Sequence, residues 1–347
     1  MELNLTPEEV QLVDAVRSLL RRESSPDRIR ASEKTGFDRS LWTELQQLGV
    51  PSMAVADGPT EAASLFHLVL VAEQCGAALA SAPVLEGMVA ARLLARCRDD
   101  AGELLASVCE GDVIATLSLG HAATGAPNLV PAGAIAHLVL AMDGDDLVAV
   151  TSNPSGVRIE NLGGLPLGFW EPGAGARTVL ATGSTAQSAF TAALTDWKLL
   201  SAAQLTGLSA AALGLGVDYV KSREVFGAPI ATFQTIAHRL ADDATAVDGA
   251  RLLTYKAGWA VDEGHGDRDI LASMAWLFAS ETALDVTRDS LHYHGGYGFT
   301  AEYDIQLYFR RAKAYSLLWG DPRSEYRRLA GLLFVPGSEF MPGGEGK

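Results

Sequence analysis

Cysteine is scarce in this chain: Cys75, Cys97 and Cys109 are the only three in 347 residues. An odd number at wide spacing supports neither a disulfide framework nor a metal-ligand set, so buried thiols in a reducing compartment are expected and no metal is. Positive charge is also short. Lys and Arg number 27 against 42 Asp and Glu, a formal net charge of −15, and such a balance repels nucleic acid and anionic membranes in general. No run of about 20 apolar residues free of charges and breakers reads as a membrane span. Met1 leads through Leu3-Asn4-Leu5 into a charged, helix-like stretch, without the pattern of a secretory signal. Together these absences predict a cytoplasmic protein with neither nucleic-acid nor membrane partners.

What the chain does have is apolar material. At 48% hydrophobic residues it can bury cores for two or three domains. Residues 6–21 read as a helix: Thr6 followed by Pro7, Glu8 and Glu9 is a capping arrangement, and Val10, Leu12, Val13, Val16, Leu19 and Leu20 form a stripe. Further helices are predicted over 38–48, ended by Gly49 and Pro51, and over 62–76, 83–96 and 101–110. Residues 1–111 thus form an N-terminal helical domain.

Near Asp112 the period changes. Residues 113–117, 135–141 and 147–150 are strand-like, with Gly144-Asp145-Asp146 as a hairpin turn between the latter two. The expectation is a small β domain over 112–185. Helical pattern resumes at Ala186. A long Ala- and Gly-rich apolar segment over 197–222 and three long helices over 233–263, 267–291 and 303–333 make a C-terminal four-helix bundle within 186–335. The tail, 336–347, holds Pro and several Gly and is expected to fray. The fold class is α+β.

Two segments of the bundle carry chemistry. One is Arg223-Glu224-Val225-Phe226-Gly227, followed by Phe233-Gln234. A guanidinium fork matches phosphate oxygens and stays charged, although a surface arginine paired within the bundle reads equally well in isolation. The other is His294-Gly295-Gly296-Tyr297-Gly298, where glycines permit positive φ and close approach of a ligand to backbone. By itself it marks only a turn. No strand–GxGxxG–helix unit accompanies them.

The order helical domain, small β domain, helical bundle, with these segments in register, resembles the acyl-CoA dehydrogenases over almost the whole chain, most strongly over 197–333. The resemblance implies FAD as cofactor and an acyl-CoA as substrate. It places Arg223 on the flavin pyrophosphate across a subunit interface, Phe233 and Gln234 against the adenosine, and Gly295, Gly296 and Gly298 along the diphosphate. His292 stands where the family usually has a glutamine, and it or His294 is able to donate to phosphate or to cap a helix. Glu302-Tyr303 and Arg310-Arg311-Ala312-Lys313 extend the match.

Against that resemblance an acid is missing. The family reaction removes a proton from Cα of the thioester while hydride passes from Cβ to the flavin, and a carboxylate must take the proton. The two positions where members keep this glutamate hold Trp319, after Arg310-Arg311-Ala312-Lys313, and Trp197, in Asp196-Trp197-Lys198. Asp196, one residue away, points about 100° around the helix. The β region also lacks the family's Thr-Glu-Pro-x-Ala-Gly-Ser-Asp run, offering Leu117-Ser118-Leu119-Gly120-His121-Ala122-Ala123-Thr124-Gly125 instead, and no tryptophan lies between Trp42 and Trp170. Groups touching the ring and substrate are lost while those touching pyrophosphate and adenosine remain. The pattern resembles the non-base subunit of actinobacterial α2β2 acyl-CoA dehydrogenases that act on steroid side chains. It implies no catalytic residue in this chain, a homologous base-containing partner subunit that holds most of the acyl-CoA, and an electron-transferring flavoprotein as acceptor. The alternatives are a homomeric enzyme using Asp196 or Glu302 as base, and a flavin-free structural homologue.

Overall fold

A computed structural model describes residues 4–55, 62–120, 128–151, 153–154, 156–170 and 175–334. The expected frayed tail and residues 121–125 of the altered β segment lie outside them.

Six helices open the chain: α1 Pro7–Glu23, α2 Pro26–Ser32, α3 Arg39–Gln47, α4 Leu65–Ala77, α5 Val84–Arg96 and α6 Arg98–Glu110. Thr6 starts α1 as predicted: its backbone N–H donates to Glu9 and its hydroxyl accepts from the Glu9 N–H, so two end groups are satisfied reciprocally. The short α2 escaped sequence reading although Ser25 caps it and Pro26 sits in its first turn. Asp38 caps α3 and also receives the guanidinium of Arg28 at 2.8 Å.

The middle of the chain holds β1 Ala115–Leu117, β2 Asn128–Val130, β3 Leu138–Asp143, β4 Asp146–Thr151, β5 Gly168–Trp170 and β6 Ala176–Thr182. Strand order in the main sheet is β1-β3-β4-β6, parallel between β1 and β3 and antiparallel elsewhere; β2 and β5 pair separately. Asp143 faces Asp146, so the predicted hairpin turns on Gly144-Asp145, with Gly144 at φ +61°.

The rest is helical: α7 Gly183–Ser222, a β7 Glu224–Val225 and β8 Ala228–Pro229 hairpin, α8 Gln234–Asp262, α9 Arg268–Tyr293, α10 Ile305–Tyr315 and α11 Pro322–Leu333. Two sequence expectations need correction. The helix predicted over 303–333 is two helices, because Gly320 adopts φ +109°, Asp321 caps the next helix and Pro322 opens it. And α7 is one unbroken helix of 40 residues, about 60 Å long, which by length and apolarity is long enough to cross a bilayer. Packing explains its apolarity: most of its apolar window is buried in protein. A Cβ on Gly207 would sit 1.9 Å from the Glu73 carbonyl oxygen, and one on Gly76 equally close to that of Gln204. Glycines therefore let α4 and α7 touch backbone to backbone. The bundle is α7 to α10, with α11 laid on α9.

Candidate cofactor-binding site

Arg223 is the first residue beyond α7, its backbone N–H still donating to the Tyr219 carbonyl at 2.8 Å. Phe226 and Gly227, at φ +54° and +82°, form the tip of the β7–β8 hairpin, a two-residue turn of the kind that suits strand twist. A phenylalanine in the left-handed region is strained, and its ring is 96% exposed. The hairpin returns the chain so that the Ile230 N–H donates to the Arg223 carbonyl at 2.8 Å, and α8 then begins at Gln234. Arg223, Phe233 and Gln234 thus gather at one end of the bundle. All three are exposed. The guanidinium of Arg223 forms no ion pair among the described residues. The Gln234 amide faces solvent in the single chain.

The second segment follows α9. His294 is buried, stacks on Tyr219 with ring centroids 4.0 Å apart, and donates from Nδ1 to the Ser290 carbonyl at 2.7 Å. That bond uses the ring's one proton, since burial lowers its pKa and keeps it neutral. His294 is therefore committed to the helix end, and only the exposed His292 remains able to meet an anion. Tyr219 lies one turn before Arg223, so its stack on His294 brings the two motifs together. Residues Gly295–Phe299 form a 3-10 turn. Two of the three glycines have a structural reason: Gly295 is at φ +61°, and a Cβ on Gly298 would lie 2.6 Å from the Leu291 carbonyl oxygen. Gly296 has neither constraint; nothing lies within 4 Å of the place a Cβ would occupy.

At the positions that would hold the acid, Trp197 and Trp319 stack on each other, centroids 5.6 Å apart. Lys198 places Nζ 4.3 Å from the Trp319 ring centroid and pairs with Glu325 at 2.7 Å, and the Trp319 indole N–H donates to Glu325 at 3.1 Å. Asp196 is 1% exposed and accepts from Arg92 at 3.0 Å and Arg96 at 2.7 Å. Its carboxylate is thus held by two guanidinium groups. Glu302 is exposed and bonded to Thr300, which lowers its pKa. The β region's Trp170 is buried, inside a small cluster with Val130, Val139 and Val150.

Two acids escaped sequence reading. Burial alone would raise the Glu325 carboxyl, but hydrogen bonds from Arg328, Lys198 and Ser273 hold it down at about 2. Glu86 is pushed up by burial to about 7 and faces a cavity of about 30 Å³ lined also by Ser81, Gln204, Arg311, Tyr315 and Leu318. That space suits one or two waters, far less than a thioester. Neither acid has a local sequence signal, because each is made by residues distant along the chain.

The open guanidinium of Arg223, the exposed Gln234 amide and the unobstructed backbone at Gly296 fit a dinucleotide's phosphates and adenosine. Comparison with known proteins shows the family. The model of the acyl-CoA dehydrogenase N-terminal domain matches residues 6–101 and that of the C-terminal domain residues 188–329. Acyl-CoA dehydrogenase IpdE2 of Mycolicibacterium smegmatis is 32% identical over 95% of this chain and 100% of its own length. Among solved structures, a Tcur3481-Tcur3483 steroid ACAD variant superposes with TM-score 0.84 at 28% identity, covering 94% of this chain and 97% of that one. The ChsE4-ChsE5 complex from Mycobacterium tuberculosis gives TM-score 0.82 at 25% identity, covering 97% and 100%. The chain belongs to the acyl-CoA dehydrogenase family, whose cofactor is FAD.

Proposed function

We propose that this chain is the non-base subunit of an α2β2 acyl-CoA dehydrogenase acting on a bulky, steroid-like acyl-CoA. The observation that carries this reading is the pairing of an occupied catalytic position with an open cofactor position. Trp197 and Trp319 stack where a carboxylate is needed, while Arg223 and Gln234 are exposed without a side-chain partner among the described residues and the backbone at Gly296 is open. Two similar structures support the assembly and the substrate class: one is a steroid ACAD, the other a complex of two ChsE chains.

Bound FAD supplies the hydride acceptor of the reaction. This chain's part is to hold it. Arg223 neutralises the diphosphate, Phe233 and Gln234 receive the adenosine, and His292 with the Gly295–Gly298 turn closes on the phosphates. The proton at Cα is taken by a glutamate of the homologous partner, which also holds most of the acyl-CoA, and an electron-transferring flavoprotein is the expected acceptor. Like other proteins of its composition, the chain is assigned to the cytoplasm.

Mass and flavin content test the reading, for the chain alone and co-expressed with a base-containing homologue. FAD retained only in an α2β2 particle is the expected result. A flavin-loaded, active homomer would overturn it. In that case the search for its base turns to Asp196 and Glu302.

A further inference from the structure

The proposed cofactor contacts hang on different helices. Phe233 and Gln234 open α8, whereas His292 and the glycine turn close α9. Something must hold those two helix ends at a set spacing. Between α7 and α9 the brace is visible in the Tyr219–His294 stack. Between α8 and α9 it is Arg239, about 7.5 Å along α8 from Gln234, whose guanidinium pairs with Asp289.

Arg239 is itself exposed, but the acids around it are not. Asp289 is 13% exposed and also accepts from Arg288 at 3.1 Å. One turn beyond Arg239 on α8, Asp243 is 4% exposed and its Oδ2 has no hydrogen-bond partner. One turn beyond Asp289 on α9, the Tyr293 hydroxyl is buried and equally unpartnered. Burial, then the charge of Asp289, raises Asp243 to about 6, while Arg239 pulls it back. Asp285 and Arg288 act on Asp243 with opposite signs. Asp289 and Asp243 thus act on each other across the α8–α9 seam, and Arg239 pairs with the first and offsets the charge on the second. Without it they repel, at the seam between the helix that Gln234 opens and the helix that the glycine turn follows.

We propose that Arg239 is a positioning residue for the cofactor: by holding Asp289 against Asp243 it sets the start of α8 against the end of α9, so that Gln234 and the Gly295–Gly298 turn meet one dinucleotide. This rests on the functional reading above.

The test titrates FAD into the flavin-stripped co-expressed complex and follows flavin fluorescence, with particle mass and thermal unfolding measured in parallel. Arg239→Ala is expected to weaken FAD binding about tenfold at unchanged mass, Arg239→Lys to restore most of it, and Asp243→Asn added to Arg239→Ala to recover part by removing one repelled carboxylate. If Arg239→Ala does not assemble, the Lys and double variants decide. Wild-type FAD affinity in an assembled Arg239→Ala complex overturns the proposal, as does a double variant no better than the single. Arg223→Ala separates the two ideas: if it weakens FAD and Arg239→Ala does not, only the positioning role fails. If neither matters, the shared-cofactor reading fails as well.

Discussion

At the residue scale, the chain turns potential acid chemistry into structure. Asp196 is the clearest case. Adjacent to the vacant base position, it is locked to Arg92 and Arg96, about 100 residues earlier. Removing one member of a buried ion cluster leaves uncompensated charge, so Asp196→Asn should cost roughly 3–5 kcal/mol in denaturant unfolding. Its kcat in the assembled complex should stay near wild type; a loss of several orders of magnitude would make Asp196 the base. Glu325 yields a pH prediction. Its folded pKa of about 2 lies below the ordinary value of 4.5, so its contribution, on the order of 2–3 kcal/mol, is present above pH 4.5 and disappears as pH falls toward 2. Glu325→Gln should lower stability at pH 7 and flatten this acid limb. Asp243 has the opposite sign: raised to about 6, it binds protons in the fold that it loses in the unfolded chain, so stability falls as pH rises from 4 through 6. Asp243→Asn should therefore gain about 1 kcal/mol or more at pH 8 and nothing near pH 4.

At the scale of elements, the decisive contact is α4 on α7. Gly76 and Gly207 each leave room for the other helix's carbonyl, and no flexible side chain is there to yield. Gly207→Ala should separate the helices and destabilise the chain by several kcal/mol despite alanine's better helix propensity; a thermal midpoint at or above wild type would show that the contact is looser than drawn. The element ends carry the candidate site. Arg223 and Gly295 follow the C-terminal ends of α7 and α9, and Gln234 opens α8, so of the three only Gln234 stands among the unsatisfied N–H groups that suit an anion. Sequence reading found these ends through local signals: the Thr6 capping box, the Gly144 turn and the glycine run after α9. It overlooked the equally local Gly320-Asp321-Pro322 break.

For the whole molecule, the consequence is incompleteness. Exposed Phe226, Phe233, Tyr297 and Phe299 share the end of the bundle with Arg223 and the glycine turn, and on the proposed reading partner and cofactor cover them. Because FAD then binds only the assembled state, stripping it should lower the complex's Tm; FAD at about 100 times its Kd adds about 2.7 kcal/mol. An unchanged Tm after complete flavin removal would argue that this chain makes no cofactor contact.

The sequence by itself determined the succession of helical, β and helical regions, the flavin-type motifs, and tryptophan at both positions where the family resemblance puts the acid, because periodicity, glycine and residue identity are local properties. Tertiary structure alone decided what those tryptophans meet. Trp197 and Trp319 are 122 positions apart, and only packing stacks them. Likewise only packing binds Asp196 to two arginines, retires His294 beneath Tyr219, and leaves Gln234 in solvent. Side chains far apart in sequence compete for the same volume and the same charge, and no local pattern records which of them wins.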